Sequence, residues 1–153
     1  MAALDGLMAL PRERSETVRS DLRVTRGRIE FRDVTCRYPG AEHSAVNGLS
    51  LEILPGETVA LLGRVGSGKT TVGKLLNGLL QPDSGNILID GHAIAQYDPA
   101  ELREGVGYLT QDSELFTGTL RENLTIGRPG ASDEEVRQAL RLAGMDAFVA
   151  ANP

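Results

Sequence analysis

Hydrophobic spacing divides the chain into stretches of different character. Leu4, Leu7, Met8 and Leu10 fall at helical spacing until Pro11 ends the pattern. That stretch is either the tail of a longer helix entering from an upstream domain or a frayed terminal helix. Residues 11–27 are charged, lack periodicity and close on Gly27, which reads as a linker. From Arg28 the period changes to two. Ile29 and Phe31 alternate with polar residues, the alternation slips at Asp33-Val34, and it resumes through Cys36 and Tyr38, predicting a strand with a bulge. Leu49, Leu51 and Ile53 predict a second half-buried strand, and Pro55-Gly56 a turn.

Val59-Ala60-Leu61-Leu62 is instead a continuous apolar run, the pattern of a strand buried on both faces of a parallel sheet. A glycine-rich loop follows directly. Val72, Leu75, Leu76 and Leu79 then predict one face of a helix stopping near Gly78–Pro82. Asp83-Ser84-Gly85 reads as a turn and Ile87-Leu88-Ile89 as a short strand. Asp98-Pro99 has the form of a helix cap and first helical position. Val106 to Leu109 predicts a second buried parallel strand, ending near Gln111. Thr119-Leu120-Arg121-Glu122 and Ser132-Asp133-Glu134-Glu135 both fit a capping box, the second opening a helix that ends at Gly144. Phe148 and Val149 begin a further element.

The loop between the apolar run and the helix carries candidate chemistry. Gly63, Gly68, Lys69 and Thr70 satisfy the pattern G-x-x-x-x-G-K-[ST]. A polyphosphate needs several donors converging on it. Glycines let consecutive backbone N–H groups turn inward, and the following helix adds its free amides and the positive end of its dipole. Lys69 supplies a mobile charge toward the outer phosphates, and the Thr70 hydroxyl is suited to ligate Mg²⁺. The bare pattern arises by chance in roughly one chain in 200 of this length, and the strand before it and helix after it make chance rarer still. The loop points to ATP.

Composition narrows the picture without changing it. At 153 residues the chain has the size of one domain. Aromatics make up only 4%, so the core rests on Leu, Ile, Val and Ala. The formal net charge of −5 is uneven. Six Arg against four acids give +2 over residues 1–28, and the rest carries −7. An acidic body argues against nucleic-acid binding but not against a local phosphate site. The single cysteine, Cys36, excludes a disulfide framework and reads as a small apolar strand residue. No apolar run approaches the length of a membrane span. His43 and His92 lack metal-ligand context, and Asp90-Gly91 reads as a hairpin corner rather than a catalytic acid.

These residues together resemble the nucleotide-binding domain of ABC transporters, from the chain's start almost to its end. Tyr38 matches the family's adenine-stacking aromatic, and Gln111 the glutamine of its glutamine loop. The runs Leu115–Leu124 and Asp83–Gly91 match further family segments. Leu4–Arg14 and Gly63-Arg64-Val65-Gly66 look most like exporters of the type I secretion permease/ATPase kind.

The resemblance implies an α/β fold of the P-loop NTPase type, truncated: an antiparallel β portion plus an incomplete parallel sheet with helices. Residues 1–27 would be a linker following a missing transmembrane domain, and 28–153 a partial ATP-binding cassette. It implies ATP bound by Tyr38, Gly63, Arg64, Val65, Gly66, Ser67, Gly68, Lys69, Thr70, Thr71 and Gln111, with Mg²⁺ at Thr70 and Gln111. The implied partners are a transmembrane permease domain and a second ATPase domain, at the cytoplasmic face of the membrane, with this chain alone soluble. The family's acidic strand, Leu-Ser-Gly-Gly-Gln signature and switch histidine are not found after Asn123, so hydrolysis by this chain alone is not expected. The alternative reading is a non-hydrolysing module that docks on a transmembrane partner. A soluble kinase or GTPase fits less well, because it leaves Tyr38, Gln111 and the block after it unexplained.

Overall fold

The computed structural model describes residues 21–151. The helical pattern at 4–10 and the first part of the expected linker lie outside the described residues. The rest forms two compact units, with the boundary in the chain between Tyr108 and Leu109.

The first unit is built on a four-stranded antiparallel sheet in the order β2-β1-β3-β4. Its strands are β1 (Ile29–Cys36), β2 (Val46–Ile53), β3 (Ser84–Ile89) and β4 (His92–Ala93). Strand β1 is central, pairing Phe31 with Leu51 on one side and with Ile87 on the other. The slip in its alternation has a structural counterpart. Asp33 takes φ 51°, and the β1–β2 register shifts between Phe31 and Val34. Three residues apart, Phe31 and Val34 would face opposite sides of a regular strand. The bulge turns both inward, to 3% and 0% exposure.

Across from the bulge the sequence reading needs correcting. Ser84 and Gly85 belong to β3 rather than to a turn, with Ser84 paired to Thr35. Gly85 sits at φ 84°, where a Cβ would meet the Arg32 carbonyl at 2.6 Å, so only glycine lets β3 close against the bulge.

The core joins Phe31, Val34, Cys36, Ile87 and Ile89 of the sheet to Leu75 of helix α1 (Lys69–Leu76) and Leu102 of α2 (Pro99–Gly105). Tyr97 is buried among them, its hydroxyl donating to the Ile89 carbonyl at 2.8 Å. Asp98 caps α2 as its position suggests, accepting from the Ala100 N–H at 2.9 Å. Leu79 lies beyond the end of α1 and is half exposed, so it does not extend that helix's buried face.

The larger correction concerns the parallel strands. Residues 58–62 and 106–109 form no strand: the sheet of the described residues contains neither. Leu62 is 92% exposed. A parallel strand draws its hydrogen bonds from segments reached by a crossover, and none among the described residues lies beside these runs. Even so, the Tyr108 ring lies against Gly73, where an added Cβ would meet Cε2 at 2.9 Å.

Residues 21–27 lie along the first unit. Leu22 and Val24 pack at the edge of its core, and Arg23 pairs with Glu101 at 2.8 Å. Asp90 holds this segment. It stands at φ 51° in the β3–β4 corner, and its carboxylate accepts the backbone N–H groups of Thr25, Arg26 and Arg28 at 2.8–3.0 Å. Burial pushes the Asp90 carboxyl upward, but those N–H groups together with the Thr25 hydroxyl hold it down at about 2.

The second unit contains helices α3 (Leu120–Leu124), α4 (Asp133–Leu142) and α5 (Asp146–Ala151). Both capping boxes form: Glu122 accepts the Thr119 N–H at 2.7 Å, and Glu135 the Ser132 N–H at 2.8 Å. Asn123 pins the preceding loop by pairing with both the N–H and the carbonyl of Phe116.

Candidate functional site

The phosphate loop joins the unpaired run 58–62 to α1, so its shape rests on the helix and on the β1–β2 connection. Ser67 N–H donates to the Arg64 carbonyl at 3.1 Å, closing the tip that carries Val65 and Gly66 into solvent. Gly68 takes φ 88° as the cap residue of α1. A Cβ there would run into the Ala45 carbonyl, so the loop approaches the chain beside β2 more closely than any side chain permits.

Lys69 folds back over the loop. Its Nζ donates to the carbonyls of Gly63 and Arg64, both at 2.8 Å, and reaches Ser67 Oγ at 3.3 Å. The amine is thus held at the loop's mouth by neutral acceptors, and among the described residues no carboxylate pairs with it. Thr70, the next residue, is exposed.

The start of α1 differs from those of α2, α3 and α4 in a way that fits an anion. Asp98, Thr119 and Ser132 cap α2, α3 and α4 with side-chain oxygens. At α1 the cap is glycine, no side chain accepts there, and the first turn holds no acid. The first amides of a helix have no intrahelical acceptor and carry partial positive charge. Those of α1 meet the demands of a phosphate group, and the residues present fit the triphosphate implied by the motif.

Tyr38 is brought to the same helix. Its hydroxyl lies 3.3 Å from Oγ1 of Thr71, a residue only 4% exposed, and Lys74 Nζ stands 5.8 Å from its ring centroid. A cleft of about 500 Å³ opens between β2 and the loop, lined among others by Ala45, Gly48, Leu61, Ser67, Lys69 and Val72. The first unit therefore gathers Tyr38 and residues 63–71. Gln111 belongs to the second unit, where it is exposed. Sequence reading missed Lys74, because nothing in the spacing of a lysine and a tyrosine 36 positions apart signals contact. It also missed the anchoring by Asp90, a contact set by the hairpin corner and invisible in local pattern.

The ABC transporter family profile matches residues 46–153. The chain is 42% identical over 135 residues to the cyclolysin secretion/processing ATP-binding protein of Bordetella pertussis, covering 88% of this chain and 19% of that one. It is 41% identical over 134 residues to the ATP-dependent lipid A-core flippase of Chromobacterium violaceum, covering 88% and 23%. The chain thus spans about a fifth of the length of these relatives. Among solved structures, a bacterial Atm1-family ABC exporter with ATP bound superposes with a TM-score of 0.88 at 35% identity, covering 99% of this chain and 27% of that one. The profile over residues 46–153, the identity to these relatives and the superposed exporter agree: the chain belongs to the ABC transporters and has the α/β fold of their ATP-binding domain.

Proposed function

We propose that this chain binds ATP as part of the ATPase domain of an ABC exporter of the type I secretion kind. The observation that carries the ATP-binding reading is the Lys69 amine held at the mouth of a loop that opens onto a helix start with no side-chain cap. Gly63, Arg64, Val65, Gly66, Ser67, Gly68, Lys69, Thr70 and Thr71 would surround the phosphates, and Tyr38 would stack on the base. Thr70 would offer an oxygen ligand to Mg²⁺, which when bound neutralises phosphate charge. Lys69 would carry its charge to the outer phosphates, exchanging the Gly63 and Arg64 carbonyls for phosphate oxygens.

The relatives are named for secretion, translocation and lipid flipping, each ATP-dependent or ATP-binding. By that analogy the longer protein would couple ATP hydrolysis to export. It would work with a transmembrane permease domain and a second ATPase domain, at the cytoplasmic face of the membrane. No helix among the described residues is long and apolar enough to cross a membrane.

The deciding experiment is Mg²⁺-dependent binding of a fluorescent ATP analogue to the full chain and to Lys69→Ala, with circular dichroism on both. Saturable binding weakened at least tenfold in a folded variant supports the reading. Equal binding by both overturns it.

A second reading, a non-hydrolysing module docking on a transmembrane partner, draws on Leu115 and Phe116, which are 79% and 68% exposed. Retention on membranes carrying the permease that survives Lys69→Ala but is lost in Phe116→Ser would favour it.

A further inference from the structure

The conformation of Tyr38 is not set by the core. The residue lies just beyond β1, is half-buried and stands outside the core cluster. A turn follows it, with the Ala41 N–H donating to the Tyr38 carbonyl at 3.0 Å. What touches the side chain is α1. Thr71 and Lys74 are three apart on that helix and so share a face. Thr71 meets the hydroxyl, and Lys74 Nζ stands over the ring. At 5.8 Å from the centroid, the ammonium is within the range where a ring's negative face attracts a cation.

An aromatic ring has two faces. A cation on one face orients the ring and leaves the other for stacking. A stacking ring contributes most when it is ordered before the ligand arrives, because less conformational freedom is then lost on binding. We propose that Lys74 is a positioning residue for nucleotide recognition: it holds Tyr38 by one face so that the opposite face receives the purine of ATP. This inference rests on the reading above that Tyr38 stacks on the base. It makes α1 a two-ended device, whose N-terminus faces the phosphates and whose second turn, through Tyr38, steadies the base.

The test uses the full chain, a ribose-labelled fluorescent ATP analogue for direct binding, and inorganic tripolyphosphate as a competitor that has no base. Lys74→Met keeps the aliphatic stem and removes the charge. It should weaken binding of the ATP analogue about two- to fivefold, the range of a cation–π contact at a partly exposed site. Its affinity for tripolyphosphate should not change, Lys74→Arg should restore ATP binding, and the Lys74→Met effect should vanish in a Tyr38→Ala background. Unchanged or tighter ATP binding by Lys74→Met, while Tyr38→Ala alone weakens it, overturns the inference and leaves the stacking role standing. A parallel loss of tripolyphosphate affinity also overturns it, because Lys74 would then act on the phosphates. If Tyr38→Ala itself has no effect, the stacking role fails and the inference falls with it.

Discussion

Two apolar stretches of similar composition meet opposite fates in this molecule. Ile87-Leu88-Ile89 lies in β3 with both isoleucines at 1–2% exposure, whereas Val59, Leu61 and Leu62 of the run before the phosphate loop are 37%, 42% and 92% exposed. Hydrophobicity does not separate them; the source of their hydrogen-bonding partners does. Strand β3 pairs antiparallel with β1 and β4, all within the described residues. The run at 58–62 has the signature of a parallel strand, whose neighbours must be brought in by crossovers. With no such neighbour beside it among the described residues, it remains unpaired and open. An apolar run thus specifies that burial is wanted, and the topology decides whether burial is available.

This contrast can be broken by mutation. Ile89→Ala removes a fully enclosed side chain and should cost about 2–5 kcal/mol in urea unfolding. A loss under about 1 kcal/mol would mean that the antiparallel sheet is not the stable part of the chain. Asp90→Asn should cost about 2 kcal/mol at neutral pH, since the folded carboxyl titrates at about 2 and the unfolded one near its ordinary value of 3.8. Because the folded value is the lower, this stability is present above about pH 4 and is lost as pH falls toward about 2. Unfolding curves of wild type and variant should therefore converge in acid. A gap that persists at about pH 2 would refute the anchoring role of the charge. Leu62→Ala should change stability by no more than about 0.5 kcal/mol, as for other exposed positions. A cost approaching that of Ile89→Ala would show that this run is buried in solution.

Much of the molecule was legible without coordinates, and the legible features share a cause. The bulge at Asp33, the cap at Asp98, both capping boxes and the corner at Asp90-Gly91 each depend on residues a few positions apart. Local backbone chemistry suffices to specify them. The phosphate loop belongs to the same class: its glycines, its lysine and the helix that follows lie within one short segment. Other features were misread where a distant segment intervenes. Gly85 was read as part of a turn because the bulge it packs against lies far earlier in the chain, at Asp33. Leu79 is a different case, a local one: its spacing fits the face of α1, but the helix ends at Leu76, and the Asn77 N–H bonds back to the Gly73 carbonyl.

The candidate site divides along the same line. The sequence by itself determined the phosphate-loop pattern, which rests on spacing and residue type, whereas the family, with Tyr38 and Gln111 as residues of interest, came from the chain's resemblance to ABC transporters. Only the tertiary structure decided that Tyr38 reaches Thr71, that Lys74 stands over its ring, that Ala45 presses on Gly68 and that Asp90 ties down residues 25–28. Each of these contacts joins positions distant in the chain. Folding brings such positions together through the shared core of β1, β3 and α1, and no periodicity in the sequence encodes which of them will meet.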